Sequence, residues 1–459
     1  MLHDPAALAP LRDFRQQLYG TVLGRRQDSL FELSDAVLTA DGPRPVVRLS
    51  LQPAFRRRWP SASDALADGC LDPAALRRLC VGSLPAPAAG QRELWAAAGT
   101  SYPRADAATS PERTLERRAV AGARQAPIVP AWEYQWLVAL PEPGTSWVLP
   151  LEVRRRGPTV GTPTALLLRQ LRAALAQRPP TAPRPVVLLD SGYSAGELAQ
   201  ASHAGLGADL LVRLAKRRTL ARAPGPYCGR GARPKHGPAF RTHDPRTHGH
   251  PQRTATTTDQ PHGTITVELW EQLHDPAAAA APFAVARVTL ERLAGGAPPP
   301  RATVAGLDRS RAAGRLAGPV ALVRRPLHHR ARLPLPQTGP GVDHLPPARC
   351  HRHRPLDGAA GGRPVAAVAG AAPGHRRAPA LGAAPAPGRQ NPWPRAPRLR
   401  RLLPTLGSPT RPPKPRGNAP GRQPGQRPPP ANRHPVCYRP KPDRPCRCPS
   451  HRSRLSPVA

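Results

Sequence analysis

Apolar residues recur at helical spacing in the first part of the chain. Successive apolar positions lie three or four residues apart, which places their side chains on one face of an α-helix. A further short helix is expected over Pro73–Cys80. The pattern predicts a helical N-terminal domain over residues 1–88, whose arginines are candidates for phosphate contacts. Its apolar positions are Leu8, Leu11, Phe14, Leu18 and Val22, followed by Phe31, Leu33, Val37 and Leu38.

After a linker at Pro85–Gly90 the pattern changes to short apolar or alternating runs, which are typical of β-strands. An amphipathic helix precedes the last of the first four strands, and one more helix and strand follow. The order strand, strand, strand, helix, strand predicts an α/β fold with an RNase H-like mixed sheet over residues 89–292. The expected strands are Leu94–Ala98, Ile128–Leu140, Ser146–Val153, Pro185–Leu189 and Leu210–Leu214, with helices at Pro163–Gln177 and Gly196–Ala204.

A basic segment interrupts this pattern from Lys216 to Arg253. It is rich in Gly, Pro and His and poor in apolar residues, and two predicted strands follow it at Thr264–Leu269 and Phe283–Leu290. We therefore expect a β-rich insertion over about residues 216–290. Its histidines do not have the spacing of a closed four-ligand zinc site, and no cysteine pair supports one. A loop that faces nucleic acid is the preferred interpretation.

The chain changes character again after Glu291. Residues 293–398 consist mainly of Ala, Pro, Arg, Gly and His, without Phe, Ile, Met, Glu or Lys. No hydrophobic period persists, so intrinsic disorder is one interpretation. A GC-rich gene translated in the wrong frame gives the same mixture, because codons for Pro, Ala, Gly and most Arg begin with two G or C letters. Residues 401–459 form a basic tail rich in Pro and Gly, and the whole C-terminal part is expected to be largely disordered.

The second frame can be examined through the codons themselves. When each codon of Leu322–Val342 is started at its second letter, one allowed translation is W-Y-A-A-R-F-T-I-E-H-A-F-R-F-L-K-Q-D-L-G. Its apolar residues return at helical spacing, and Phe, Ile, Glu and Lys reappear. The same shift converts Val304–Arg309 to W-L-A-W-I-G and Asn391–Leu399 to T-P-G-R-V-L-R-G-F. We infer two compensating frame slips, near Leu293 and near Leu399.

The net charge of +39 is concentrated towards the C-terminus. From Arg292 onward there are 32 Lys and Arg against four Asp and no Glu. Polyanions are the natural partners of such a chain, although a charge cluster can also be an ordinary solvated surface. The candidate DNA-binding residues are Arg154, Arg155, Arg156, Arg217, Arg218, Arg233 and Lys235.

The seven cysteines are scattered and form no C-x-x-C pair, which favours a reducing cytosol over a disulfide framework. The N-terminus lacks the apolar region of a signal peptide, and no apolar run is long enough to span a membrane. We expect a cytoplasmic protein, with no membrane and no small-molecule substrate.

Asp190 is the first candidate for chemistry. It follows the buried strand Pro185–Leu189, and the next residues, Ser191-Gly192-Tyr193, turn the chain towards a helix. A carboxylate at the carboxyl end of a central strand is well placed to hold a divalent cation in an α/β sheet. The alternative is a helix-capping role, and these residues alone give the two interpretations about equal weight.

An ordered set of motifs resembles a family of bacterial insertion-sequence transposases of the DDE class. The peptide in the second frame has the spacing Tyr, two residues, Arg, three residues, Glu, six residues, Lys, which resembles the glutamate signature of that class. The visible segments that resemble the family are Thr109–Thr114, Ile128–Tyr134, Val187–Tyr193, Arg233–Phe240 and Pro412–His434. The resemblance covers most of residues 10–292 and about 400–440.

This resemblance implies an RNase H-like core with a β-rich insertion between its second and third acids. It also implies cleavage and transfer of DNA at transposon ends by three carboxylates that hold two Mg²⁺ or Mn²⁺ ions, and possible homodimers. The location that it implies is the bacterial cytoplasm, in association with the nucleoid. Asp190 matches the second acid, but Ala98 stands at the position of the first. Asp106 is a weak substitute for it. The third acid would lie across the codons of Arg330 and Ala331, so it is absent.

The chain therefore resembles a transposase that has lost its catalytic activity. One alternative is a basic DNA-binding protein with no catalytic ancestry, in which Asp190 caps a helix. A metal-dependent nuclease of the same fold is a third possibility, but it would need the missing carboxylates equally.

The frame-slip hypothesis makes a prediction about the gene. We expect its nucleotide sequence to contain an open second frame, free of stop codons, across the codons for Ala294–Arg398. Sequencing the gene provides the measurement. A stop codon in that frame within this interval would contradict the hypothesis.

Overall fold

The computed structural model describes residues 8–40, 45–88, 90–117, 127–141, 148–227, 229, 231–259, 263–292, 303–307, 402–415 and 432–439. The helical period of the N-terminal part is confirmed. Asp72 caps the last helix of this part by accepting hydrogen bonds from the N–H groups of Ala74 and Ala75. The helices are α1 Ala9–Gln17, α2 Gln27–Thr39, α3 Val46–Leu49, α4 Trp59–Asp68 and α5 Pro73–Gly82, with a π-helical turn at Leu18–Val22.

A mixed sheet forms the centre of the molecule. Strand β3 pairs antiparallel with β1 and with β4, whereas β5 pairs in parallel with both β1 and β6. The spatial order β4-β3-β1-β5-β6 is the arrangement expected of an RNase H-like sheet, and the predicted neighbours β1 and β5 are adjacent. The elements are β1 Leu94–Pro103, β2 Thr114–Arg117, β3 Ile128–Ala139, β4 Leu149–Arg155, α6 Pro163–Leu175, β5 Val186–Leu189, α7 Ala195–His203 and β6 Asp209–Arg213.

The basic segment contributes a β-rich insertion, as expected. Three of its strands and β12 extend the central sheet in the order β6-β12-β11-β10-β9, and β7 pairs with β8 in a separate ribbon. The interior of the insertion includes His248, which stacks on Phe240 with ring centroids 4.1 Å apart. The strands are β7 Thr219–Ala221, β8 Ala239–Arg241, β9 Arg253–Asp259, β10 Gly263–Leu273, β11 Phe283–Leu290 and β12 Thr303–Leu307.

The two faces of the central sheet are packed differently. One face is covered by α5, α6 and α7, and residues such as Trp95, Leu137 and Val187 join their apolar side chains in the largest core cluster. We call this the helix-covered face. On the opposite face, the apolar cluster of the described residues comes from strands alone. Along β3 the alternation is regular, since Glu133 and Gln135 on the helix-covered face are buried while Tyr134 and Trp136 are half-buried.

Two segments of the C-terminal tail have defined contacts, although the tail was expected to be largely disordered. The first, residues 402–415, packs on the N-terminal helices. The guanidinium of Arg15 donates to the carbonyl of Gly407 at 3.1 Å, and the hydroxyl of Thr410 donates to the buried carboxylate of Glu32 at 3.0 Å. The tail departs from the expectation here because these polar contacts link residues almost 400 positions apart, which no local pattern can predict.

The second segment, residues 432–439, lies beside β2. The N–H of Cys437 donates to the carbonyl of Arg113 at 2.7 Å. The Arg439 guanidinium lies between two carboxylates, 2.5 Å from Glu116 and 2.9 Å from Glu133. Arg156 pairs with the same two carboxylates. Two buried acids and two guanidinium groups therefore compensate one another in a closed cluster.

Most of the segment predicted to be out of frame, residues 293–400, lies outside the described residues. Thr303–Leu307 is the described exception, and its backbone forms β12 between β11 and β6. No helix in the described part of the chain is both long and apolar enough to cross a bilayer.

We predict that Arg439→Ala destabilises the fold by about 2 to 3 kcal/mol, because it leaves two buried carboxylates to one guanidinium. Burial and the neighbouring Glu133 already raise the pKa of Glu116, and loss of Arg439 raises it further. A protonated Glu116 needs no cation. The loss of stability caused by Arg439→Ala should therefore become smaller as the pH falls from neutral towards the usual pKa of a glutamate.

Urea denaturation of both proteins at each pH measures this effect. Arg433→Ala is the matched control, because Arg433 is an exposed arginine of the same segment, and its change should stay within about 0.5 kcal/mol. Equal losses in the two variants would contradict the assignment of Arg439.

Candidate functional site

Asp190 lies just beyond the end of β5 and is exposed. Its Oδ1 accepts a hydrogen bond from the N–H of Gly192 at 2.9 Å, which closes a local turn. The cap of α7 is a different residue, since the Ser194 hydroxyl accepts from the N–H of Glu197. The capping role considered for Asp190 is therefore filled by Ser194, and the Asp190 carboxylate keeps one oxygen outside this turn.

The strand register places Ala98 beside Asp190. Ala96 pairs with Leu188, so two residues further on Ala98 and Asp190 are neighbours. Since side chains alternate along strands, paired residues share a face. Both therefore lie on the face opposite the helices. The position expected for the first acid is adjacent to the second, and it carries only a methyl group.

Asp106, the weak substitute for that acid, lies further along the chain. The strand that was expected to end at Ala98 continues to Pro103, because Gly99 and the residues after it keep pairing with β3. Five further strand residues carry the chain about 16 Å away from Ala98. Asp106 then lies in an exposed loop, and its role as a substitute stays a prediction.

Two nearby carboxylates, Glu116 and Glu133, were not recognised in the sequence. Glu133 reaches towards β1, where a Cβ at Gly99 would lie 3.2 Å from its Oε1. It nevertheless belongs to the helix-covered face. Glu133 pairs with Ser101, and Ser101 lies three residues beyond Ala98, so the two point to opposite faces of the sheet. Its charge is already matched by Arg156 and Arg439. Neither acid is placed to join Asp190.

Tyr193 lies close enough to both Asp190 and Glu133 to be affected by their charges. Its side chain is buried in the main core cluster. Burial, and after it the carboxylates of Asp190 and Glu133, raise the pKa of Tyr193 far above its usual range. The phenol is therefore neutral at all ordinary pH values and contributes packing beneath the turn that carries Asp190.

The Arg154–Arg156 cluster, predicted to bind DNA, is largely engaged inside the protein. Arg154 pairs with Glu152 at 2.6 Å but remains half-exposed. The Arg155 guanidinium lies 4.7 Å from the ring centroid of Trp132. The side chain of Arg156 is only 12% exposed and pairs with Glu133. Of the three, Arg154 has the most exposed side chain, and a contact between Arg156 and DNA does not fit this arrangement.

The basic residues of the insertion are more accessible. Arg217, Arg233 and Lys235 are exposed, whereas Arg218 pairs with the buried carboxylate of Asp275. Leu189 pairs with Val212 in the parallel pair β5–β6, so Arg213 lies across from Asp190. Lys216 and Arg217 follow directly. Basic side chains therefore gather at the edge of the sheet where Asp190 lies, because parallel strands end on the same edge.

The insertion is held close to this edge by a tight contact with α7. A Cβ at Gly196 would lie 3.0 Å from the Cβ of Asp275, so only glycine allows this approach without displacement. Asp275 in turn binds Arg218. The first turn of α7 thus connects the Asp190 turn to the basic insertion.

The residues around Asp190 do not fit a pair of divalent cations. Such ions prefer several carboxylate oxygens, but the strand register gives Asp190 the neighbours Ala98 and Arg213, neither of which carries a carboxylate. The described ranges contain no group of three or more His, Cys, Asp or Glu side chains that could hold a metal ion.

The family comparison agrees with the topology. The model of a family described as DDE superfamily endonuclease matches residues 18–275, which is more than half of the chain. The chain belongs to this family. No curated protein matches it. DNA is the substrate that the DDE superfamily endonuclease family implies, and divalent metals are its usual cofactors. In this DDE chain the matched region spans both Ala98 and the Asp190 turn.

We predict that Ser194→Ala and Asp190→Asn separate the two roles at this turn. Ser194→Ala removes the helix cap and should lower the free energy of unfolding by about 1 kcal/mol. Asp190→Asn keeps an oxygen for the Gly192 N–H and should change it by less than about 0.5 kcal/mol. Thermal or urea unfolding measures both. A larger loss of stability in Asp190→Asn than in Ser194→Ala would show that Asp190 is the helix cap.

Proposed function

We propose that this protein descends from an insertion-sequence transposase and binds DNA without cutting it. The observation that carries the proposal is the register of β1 with β5. Ala96 pairs with Leu188, so Ala98 and Asp190 are neighbours at the carboxyl end of the central strands. In a DDE protein this is where two acids should face each other. Here one acid faces a methyl group, so the site keeps its place in the fold but lacks the side chain for its chemistry.

The chemical argument concerns charge. Two-metal cleavage of a phosphodiester stabilises both the attacking and the leaving oxygen, and it needs converging carboxylates to hold the ions. Asp190 alone supplies one negative charge beside Arg213. The third acid is absent from the visible chain. We therefore derive no cleavage step for this protein.

DNA binding rests on the insertion. Two exposed basic residues, Lys216 and Arg217, follow β6 at the edge of the sheet where Asp190 lies. Two more, Arg233 and Lys235, lie between the strands of the β7–β8 ribbon. Such side chains neutralise phosphates and release counterions, so binding should be independent of sequence and steeply dependent on salt. Loss of metal-binding acids also removes negative charge that would repel the backbone of DNA.

The two compensating frame slips belong to the same proposal. Residues 402–415 and 432–439 make specific polar contacts with α2 and with β3, both of which precede the anomalous segment. Contacts of this kind support a common reading frame before and after residues 293–400. Two compensating slips would also explain why residues 402–415 and 432–439 pack against the core, although the sequence before them has lost its hydrophobic period.

The alternative is a basic DNA-binding protein with no catalytic ancestry. Two observations weigh against it, since the family match spans Asp190 and since Ser194 provides the helix cap. A nuclease of the same fold requires the same missing acids.

The central test uses the full-length protein with linear and supercoiled duplex DNA in the presence of Mg²⁺ or Mn²⁺. We expect retarded, intact DNA in a gel, with the same affinity when the metal is chelated. Metal-dependent nicking or end cleavage by the purified protein would overturn the proposal.

Variants locate the binding surface in the same assay. Lys216→Ala combined with Arg217→Ala should reduce the slope of log affinity against log salt by about 1.8, since each lost phosphate contact contributes about 0.9. Arg169→Ala combined with Arg172→Ala removes equal charge from the exposed surface of α6 and should change the slope much less. Equal effects would exclude a specific role of the insertion.

A further inference from the structure

Trp136 carries a buried hydrogen-bond donor with no acceptor. Its indole Nε1 is inaccessible to solvent and makes no hydrogen bond. An indole N–H can only donate, and buried donors are normally paired. Three other tryptophans of the described chain do find acceptors, since Trp95 donates to Glu93, Trp132 to the carbonyl of Pro111, and Trp270 to the carbonyl of Gly249.

The missing acceptor coincides with the missing acid. Trp136 pairs with Ala98 on one side and with Val153 on the other. Directly paired side chains on one face of an antiparallel sheet have Cβ atoms about 4.5 to 5.5 Å apart. Both sheet neighbours of the indole are apolar, so neither can accept its proton. A carboxylate at position 98 would lie between this donor and Asp190.

We propose that Trp136 is a positioning residue for a carboxylate at position 98. Its N–H would hold one oxygen of such a carboxylate and would thereby direct the other towards Asp190. This role rests on the proposed function, in which position 98 is that of the first acid. It explains why a polar group remains orphaned at this point of the sheet, because the donor persists after its acceptor was replaced by a methyl group.

The orientation matters because an aspartate in a strand has two accessible side-chain rotations. A hydrogen bond from the Trp136 N–H, on the β3 side, would fix the plane of a carboxylate at position 98 before a cation binds. The same hydrogen bond favours the charged form of the acid and so lowers its pKa. Trp136 would thus act on both the geometry and the ionisation of the restored acid without touching substrate itself.

The test restores the acceptor and reads the indole directly. Full-length protein is labelled with ¹⁵N-tryptophan, and the Trp136 Nε1–H signal is assigned through Trp136→Phe. In Ala98→Asp we expect this signal to move downfield and to titrate with the carboxyl group. In Ala98→Asn it should move and exchange more slowly with solvent, but should not titrate.

Adding Trp136→Phe to Ala98→Asp should raise the pKa of the new carboxyl group, followed by ¹³C-aspartate signals. Trp132→Phe in the same background is the matched control and should leave that pKa in place. An unchanged Trp136 indole signal in both folded position-98 variants would overturn the proposal, as would failure of both to fold, since the proposal requires room for an acceptor there.

These outcomes are independent of DNA cleavage. A hydrogen-bonded Trp136 in Ala98→Asp together with metal-dependent cleavage by the unmodified protein would refute the proposed function alone. If the Trp136 signal is unchanged in the position-98 variants, while the unmodified protein binds DNA without cutting it, only the positioning role is refuted.

Discussion

The parallel pairing of β1 with β5 is the constraint on which the rest of the core depends. It aligns Ala96 with Leu188, and β5 in turn aligns Leu189 with Val212. This register makes Ala98 and Arg213 the neighbours of Asp190, which follows the last residue of β5. A shift of one residue would send alternate side chains to the other face of the sheet. The apolar residues that meet α6 and α7 therefore fix the position of Asp190. Packing of the interior therefore sets the geometry of this end of the sheet, whatever side chain stands at position 98.

Charge compensation is the second principle of this structure. The chain has a large positive excess, yet its buried carboxylates each have a guanidinium partner, as Glu32 has Arg57 and Glu152 has Arg77. Arginine suits such sites because its planar group forms several hydrogen bonds at once. The arginines of this protein thus serve two different purposes. Some complete the interior, and others remain on the surface of the insertion where a polyanion can reach them.

Much of the fold could be predicted from local patterns, and the failures have physical reasons. The strands that contain Trp136 and Val187 were recognised because their apolar residues alternate or run together, and Asp190 was recognised by its place at a strand end. The extension of β1 past Gly99 was missed because Gly, Ser and Pro carry no strand signal, although β3 supplies them with partners. The polar strands β7 to β9 were missed for a similar reason. Glu116 and Glu133 were overlooked because their significance comes from Arg439, which is distant in sequence.

The contact between Arg439 and Glu116 has a consequence for biosynthesis. More than 300 residues separate the two side chains, so at about 5 to 20 residues per second the ribosome needs roughly 16 to 65 s to travel from one to the other. During that interval the nascent sheet holds two carboxylates with only one guanidinium and leaves the margin of β2 unprotected. The final fold of the central domain is thus completed only after residues 432–439 have left the ribosome.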